Sequence, residues 1–263
     1  MLADGNCCYV YGVIKGGVCN PALSGIDPAY PVCALPYGNI QAVVSEVALD
    51  EFGQDALESN LRDIAWLESK VRAHEDILET IMADHTLIPM RFCTIFRGEN
   101  RVLEMLLEHY ESFTNTFGRL EGRKEWGIKV YADAATLSER VGEVSDRVRK
   151  LETEMASKSP GAAYIWKKRL DEAIAEEIER VGDECVQRSH DRLSFRSDEQ
   201  TTCPLQGREI TGLNEEMVLN GAYLVVEEQL NTFEAEFNAL REEYGRLGFS
   251  FQLHGPWPPY NFV

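Results

Sequence analysis

Apolar and polar positions along this chain repeat in two periods, and the switches between them mark its elements. Residues 7–14, CCYVYGVI, are a dense β-branched and aromatic run closed by Lys15-Gly16-Gly17, the pattern of a strand central in its sheet. A short strand is predicted over 31–36, a turn at Tyr37-Gly38-Asn39, and its hairpin partner over 40–47. The period then becomes helical. Over 54–83, Leu57, Ile64, Val71 and Leu78 recur every seven residues, with Leu67, His74 and Ile81 three places on, so both rows share one face that needs burial. A strand over 88–96, IPMRFCTIF, follows at once, with Pro89 near its start where a missing N–H is tolerated. An amphipathic helix through Val102, Leu106, Tyr110 and Phe113 comes next.

Glycine and charge over 118–122 interrupt the periodicity and predict a boundary between domains 1–121 and 122–263. WGIKVY (126–131) opens the second domain as a strand. Leu137, Val141, Val144, Val148, Leu151 and Met155 then recur at spacings of four and three, the seam of a helix packed along another helix. After Ser157-Lys158, Ser159 is placed as N-cap and Pro160 at the first helical position of the partner, which runs through Trp166, Leu170, Ile174, Ile178, Val181 and Cys185. An antiparallel helical hairpin over about 134–195 is expected. Residues 197–213 read as a loop with room for one short strand, and 217–226, 227–244 and 249–253 as strand, helix and strand. The fold class is α+β with two domains: an α/β N-terminal domain, then a β-α…β-α-β order that matches a ferredoxin-like C-terminal domain elaborated with a coiled-coil hairpin.

WLE (66–68), RAHE (72–75), IPMRF (88–92), EWGIKVY (125–131) and the closing GPWPPYNF (255–262), in this order and at these intervals, resemble the gas vesicle protein F/L family, most closely its F members. The resemblance runs from Tyr9-Val10-Tyr11-Gly12-Val13 to the C-terminus. It implies a similar two-domain arrangement. It also implies a minor protein of the vesicle that binds the small, hydrophobic major shell subunit and prevents its aggregation while the shell nucleates, among other minor gas vesicle proteins and inside the cell.

Composition narrows the partners independently. With Lys+Arg 26 against Asp+Glu 44, the net charge is −18, which repels phosphate backbones and anionic lipid, so neither nucleic acid nor a lipid membrane is expected as a partner. No apolar run reaches the roughly 20 residues of a membrane span, and no signal peptide is expected. The seven cysteines (7, 8, 19, 33, 93, 185 and 203) include no C-x-x-C pair and read as free thiols.

Chemistry is sparse. His74-Glu75 is not H-E-x-x-H, because Leu78 stands where the second histidine would be, and His74 on the buried stripe reads as a satisfied core histidine rather than a catalytic base. Gly12, Gly16 and Gly17 lack the Gly-Lys-Ser/Thr of a phosphate loop. No catalytic residue, cofactor or metal site is assigned, and a small-molecule enzyme on the ferredoxin-like domain is the remote alternative.

The candidate residues for partner binding or for stapling the domains are Arg91, Phe92, Trp66, Trp126, Trp257, Tyr260 and Phe262. Arg91 reads as an ion-pair partner of Glu68 or Glu75, or else as a contact for an external acid. Trp66, Trp126 and Trp257 read as core before partner anchors. The three prolines of 255–262 are expected to exclude a ladder, leaving an extended tail that holds the two domains together through Trp257, Tyr260 and Phe262. An acidic, soluble body with an exposed strand edge of the first domain, or second the hairpin, would suit a passive chaperone; a purely structural shell component is the alternative.

Overall fold

The computed structural model describes residues 6–17, 23–157 and 159–263. Two compact units divide it: residues 1–124 with 257–263, and 125–256. The expected free thiols Cys7, Cys8, Cys33, Cys93, Cys185 and Cys203 are unbridged, while Cys19 and Lys158 lie outside the described residues.

The first unit is built around strand β1 (Asn6–Lys15). β2 (Cys33–Tyr37) and β3 (Ile40–Ala48) form the predicted hairpin through Gly38, whose φ of +61° suits a residue without Cβ. Two short helices, α1 (Leu49–Phe52) and α2 (Gln54–Asn60), precede α3 (Ile64–Met82). β4 (Leu87–Pro89) and β5 (Ile95–Phe96) are followed by α4 (Glu99–Glu108) and α5 (Tyr110–Leu120). The sheet order is β2-β3-β1-β4 with β5 also on β1, antiparallel throughout, so β1 is central as its composition predicts.

Three predicted elements of this unit are broken. The long helix over 54–83 restarts at Asp63, whose carboxylate accepts from the Ala65 and Trp66 N–H groups at 2.9 and 3.3 Å, so Asp63 is an N-cap and not an interior residue. The strand over 88–96 turns between Arg91 and Thr94, with Cys93 at φ +62°, and the chain rejoins β1 through the Thr94 carbonyl. The helix through 102–113 leaves helical geometry at His109, with φ −103° and ψ 12°. Each heptad row is buried only in its later part. His74, Leu78 and Ile81 are inside, but Ile64 is 80% exposed and Val71 36%. Lys70 takes the place expected of Val71: its ammonium lies over the Phe52 and Trp66 rings, 5.2 and 6.0 Å from their centroids, and reaches Glu51 at 2.9 Å and the Ile26 carbonyl at 3.2 Å.

The second unit contains β6 (Arg123–Ala132), α6 (Ala134–Arg140), α7 (Asp146–Ala156), α8 (Pro160–Ser194), β7 (Glu199–Thr202), α9 (Arg208–Thr211), β8 (Glu216–Val226), α10 (Leu230–Gly245) and β9 (Phe249–Trp257). Its sheet order, β7-β8-β6-β9, is the ferredoxin-like order, with the hairpin inserted after the first strand. The first arm of that hairpin is interrupted. A 3-10 turn over Val141–Glu143 ends α6, and buried Ser145 caps α7 by accepting from the Val148 N–H, which leaves Val144 39% exposed. The second arm is the 35-residue α8, started by Ser159 and Pro160 as predicted, although the Ser159 side chain makes no capping bond.

The core of this unit joins Ile128, Val130, Val148, Leu170, Val181 and Cys185 to Phe233, Phe237, Phe249 and Phe251. The closing prolines do not exclude a ladder. β9 continues through Gly255-Pro256 to Trp257, because it is an edge strand where a missing N–H costs little, and only Pro258 ends it. Residues 257–263, predicted as a tail of the second domain, count with the first unit.

Candidate functional site

The polar groups most deeply buried in the first unit converge on His74. β1 pairs Val10 with Val44 and then Gly12 with Val43, so Tyr11 is an extra residue. Such a bulge turns two successive residues toward one face. Alternation along β1 already puts Tyr9 and Tyr11, two positions apart, on the same side, their ring centroids 4.9 Å apart. Gly12 must be glycine there: a Cβ would lie 2.6 Å from the Ile88 carbonyl oxygen.

His74 is fully buried, and both ring nitrogens are engaged: Nδ1 with the Tyr9 hydroxyl at 3.0 Å and Nε2 with the Tyr260 hydroxyl at 3.1 Å. The direction of the chain of bonds can be derived. Tyr260 donates its one proton to Glu75 Oε1 at 3.2 Å, so its oxygen accepts from Nε2–H. The neutral ring then leaves Nδ1 bare, to accept from the Tyr9 O–H, while the Tyr9 oxygen accepts the Cys93 N–H at 2.9 Å. Beside it, the Tyr11 hydroxyl accepts from the Ile26 N–H and shares a hydrogen with Ser45 Oγ, both at 2.7 Å.

Electrostatics agree with this assignment. Burial lowers the His74 pKa to about 4 against an opposing hydrogen bond to the Met90 backbone, keeping the ring neutral near pH 7. Burial raises Tyr9 and Tyr260 above the ordinary phenol range, and raises Glu75 despite the opposing bond from Tyr260. Neither nitrogen of His74 has a lone pair left to take a proton from an incoming group. The arrangement is a clamp holding α3, β1, the Cys93 turn and the C-terminal residues.

The seven candidate residues separate accordingly. Tyr260 closes the clamp, Phe262 is buried in the same unit, and Phe92 meets the His74 ring edge-on at 5.7 Å. Trp66 packs on this core and donates its Nε1–H to Glu51 at 2.7 Å. Burial works to raise the Glu51 pKa, but the bonds from Lys70 and Trp66 outweigh it and hold the carboxyl below its usual value. Trp126 packs on the core of the second unit, and Trp257 is 41% exposed at the end of β9.

Arg91 is exposed, and the expected ion pair is not formed: Glu68 bonds Arg72 at 3.1 Å and Glu75 is taken by Tyr260. Tyr9, Tyr11 and Ser45 were not singled out from sequence: alternation puts the two tyrosines on one face, but that this face meets His74 and Ser45 shows only once the pairing is known. Among the described residues no cluster of three or more histidines, cysteines or carboxylates could hold a metal ion, and no helix is long and apolar enough to cross a membrane.

The family model described as "Gas vesicle synthesis protein GvpL/GvpF" matches residues 7–263. The chain belongs to this family. It is 28% identical to gas vesicle protein L of Streptomyces sp. (strain CB03234) over 97% of this chain and 92% of that protein. Gas vesicle protein F of the same strain is 26% identical over 97% and 98%. The solved structure of the gas vesicle protein GvpF from Anabaena sp. PCC7120 superposes with a TM-score of 0.71 at 18% identity, covering 98% of each chain. That of GvpF from Microcystis aeruginosa gives 0.65 at 20%, covering 97% and 98%. At these identities the structural likeness carries the two-unit fold, and the sequence matches carry membership of a minor gas vesicle protein family.

Proposed function

We propose that this protein binds the hydrophobic major shell subunit of the gas vesicle and prevents its aggregation during nucleation and assembly. The observation that carries the reading is the free edge of the first sheet. β2 pairs with β3 on one side and, among the described residues, with no strand on the other. An unpaired side of a sheet is the kind of surface to which a client could add a strand. Pro36 at one end has no N–H to donate, which limits the ladder such a client could build and guards against runaway pairing. The net charge of −18 would keep a complex with an apolar client dispersed. Binding of this kind needs no nucleotide, and other minor gas vesicle proteins are further partners in the same setting.

The test is co-expression of the full chain with the shell subunit. Soluble subunit should rise with the wild type and fall toward background with Cys33→Lys, a charge placed at an exposed position of the edge. Unchanged solubility, with the protein retained on washed vesicles, would favour a purely structural shell component instead.

A further inference from the structure

Two surfaces of this molecule are complementary in kind, and the fold uses neither. The first is the outer end of α8. In a chain of net charge −18, three consecutive cations, Lys167, Lys168 and Arg169, follow Tyr164 and Ile165, which are 78% and 58% exposed. Helical spacing places Tyr164, Lys167 and Lys168 on one face, and Ile165 beside Lys168 and Arg169. Lys168 is 3.8 Å from Glu172, a loose contact, and Arg169 lies over the Trp166 ring at 5.4 Å. An aromatic and an aliphatic side chain held in water next to under-compensated cations mark an interaction surface.

The second is an open concavity of about 630 Å³ in the first unit, lined by Tyr37, Gly38, Leu107, Glu108, Tyr110 and Glu111. Its walls are fixed. The rings of Tyr37 and Tyr110 meet edge-on at 5.8 Å, and the Tyr110 hydroxyl donates to Asn39 Oδ1 at 2.7 Å. Gly38 leaves bare backbone against the Tyr110 ring, which a Cβ would approach to 3.0 Å. Leu107 is 60% exposed, and neither Glu108 nor Glu111 forms an ion pair among the described residues. An apolar wall with two uncompensated carboxylates is what an apolar tip with cations requires.

We propose that the α8 tip of one molecule docks into this concavity on a second copy of the chain. Tyr164 and Ile165 pack on Leu107 and the tyrosine rings, while Lys167 and Lys168 meet Glu108 and Glu111. A second copy supplies the acidic and apolar seat that this tip requires, a local match that acts against the mutual repulsion of two chains of net charge −18. Each copy offers one tip and one seat, so the contact is head-to-tail, and it extends into chains unless its rotation closes a ring. The inference does not rest on shell-subunit binding.

Sedimentation velocity of the purified full chain tests it. The average mass should rise with protein concentration at about 0.05 M salt and fall back at about 0.5 M, as expected for exposed charges. The double change Lys167→Glu/Lys168→Glu and the double change Glu108→Lys/Glu111→Lys should each weaken association at least tenfold. An equimolar mixture of the two variants should associate again, because each reversed surface finds its reversed partner. Tyr164→Ser, at an exposed site, should weaken association without altering the circular dichroism spectrum. A chain monomeric at every concentration, association surviving either reversal, or a mixture that stays monomeric would overturn the proposal. So would binding of the tip to vesicles of anionic phospholipid in place of self-association.

Discussion

The two units solve the problem of a core differently. The second is closed by hydrocarbon: Phe233, Phe237, Phe249 and Phe251 fill the space between helices and sheet. Its ionic contacts from Arg192 to Glu236 and Glu243, at 2.6 Å each, lie between α8 and α10 where water still reaches them. The first unit places a histidine and three tyrosines at its centre and satisfies them by directed hydrogen bonds. A packed hydrocarbon core loses stability gradually as contacts are trimmed, whereas a directed chain of bonds strands its remaining members when one is removed. The first unit should therefore be the more brittle.

The largest effect should come from His74→Ala, which leaves a cavity and removes the partner of two buried hydroxyls. Amide exchange of β1 should report a loss of about 3–5 kcal/mol, while β8 in the second unit keeps its protection. Equal loss in both would abolish the contrast. Acid should follow. Because the folded-state pKa of His74 lies below its unfolded value, its contribution is complete above about pH 6.5 and is lost as pH falls toward about 4. That amounts to up to about 3 kcal/mol, opposed in the lower part of the window by the raised pKa of Glu75, which favours the folded state as protons bind. Denaturant titrations of the wild type at pH 5 and pH 7 should differ accordingly, and His74→Gln should flatten the difference.

Two matched tyrosine changes sharpen the comparison further. Tyr260→Phe cuts the first unit's chain between His74 and Glu75, and Tyr223→Phe removes the 3.0 Å bond to His190 Nδ1 in the second. The first should cost about 2 kcal/mol and the second about 1 kcal/mol, since only the first orphans two groups. The smallest effect belongs to Arg192→Met, at under about 1 kcal/mol by denaturant titration, because the guanidinium and its partners remain partly solvated.

The same contrast governs what was legible in the sequence. Hydrophobic periodicity reports apolar cores, and in the second unit it located α8 through Leu170, Val181 and Cys185 and recovered the strand order of the ferredoxin-like sheet. It missed Ser145 because a serine capping a helix from a buried position looks like an ordinary polar residue inside a seam. In the first unit, periodicity assigned Val71 to a face that Lys70 occupies, since a lysine whose ammonium sits over two rings counts as polar in any pattern. Asp63 was readable as a cap and was passed over in favour of a long uninterrupted heptad. His74 was read as a satisfied core residue, but its partners Tyr9 and Tyr260 lie 65 and 186 positions away, and no spacing rule connects them. The turn at Cys93 is invisible for the same reason: it is held by the Tyr9 hydroxyl.

The clamp on His74 also orders events in time. A ribosome releases β1 and α3 early, but Tyr260 and Phe262 are made only after the whole of the second unit. The amino-terminal unit therefore waits through synthesis of the second unit with its central hydroxyl partner missing. A chain cut before Tyr260 would be damaged 186 positions upstream, at the buried ring of His74.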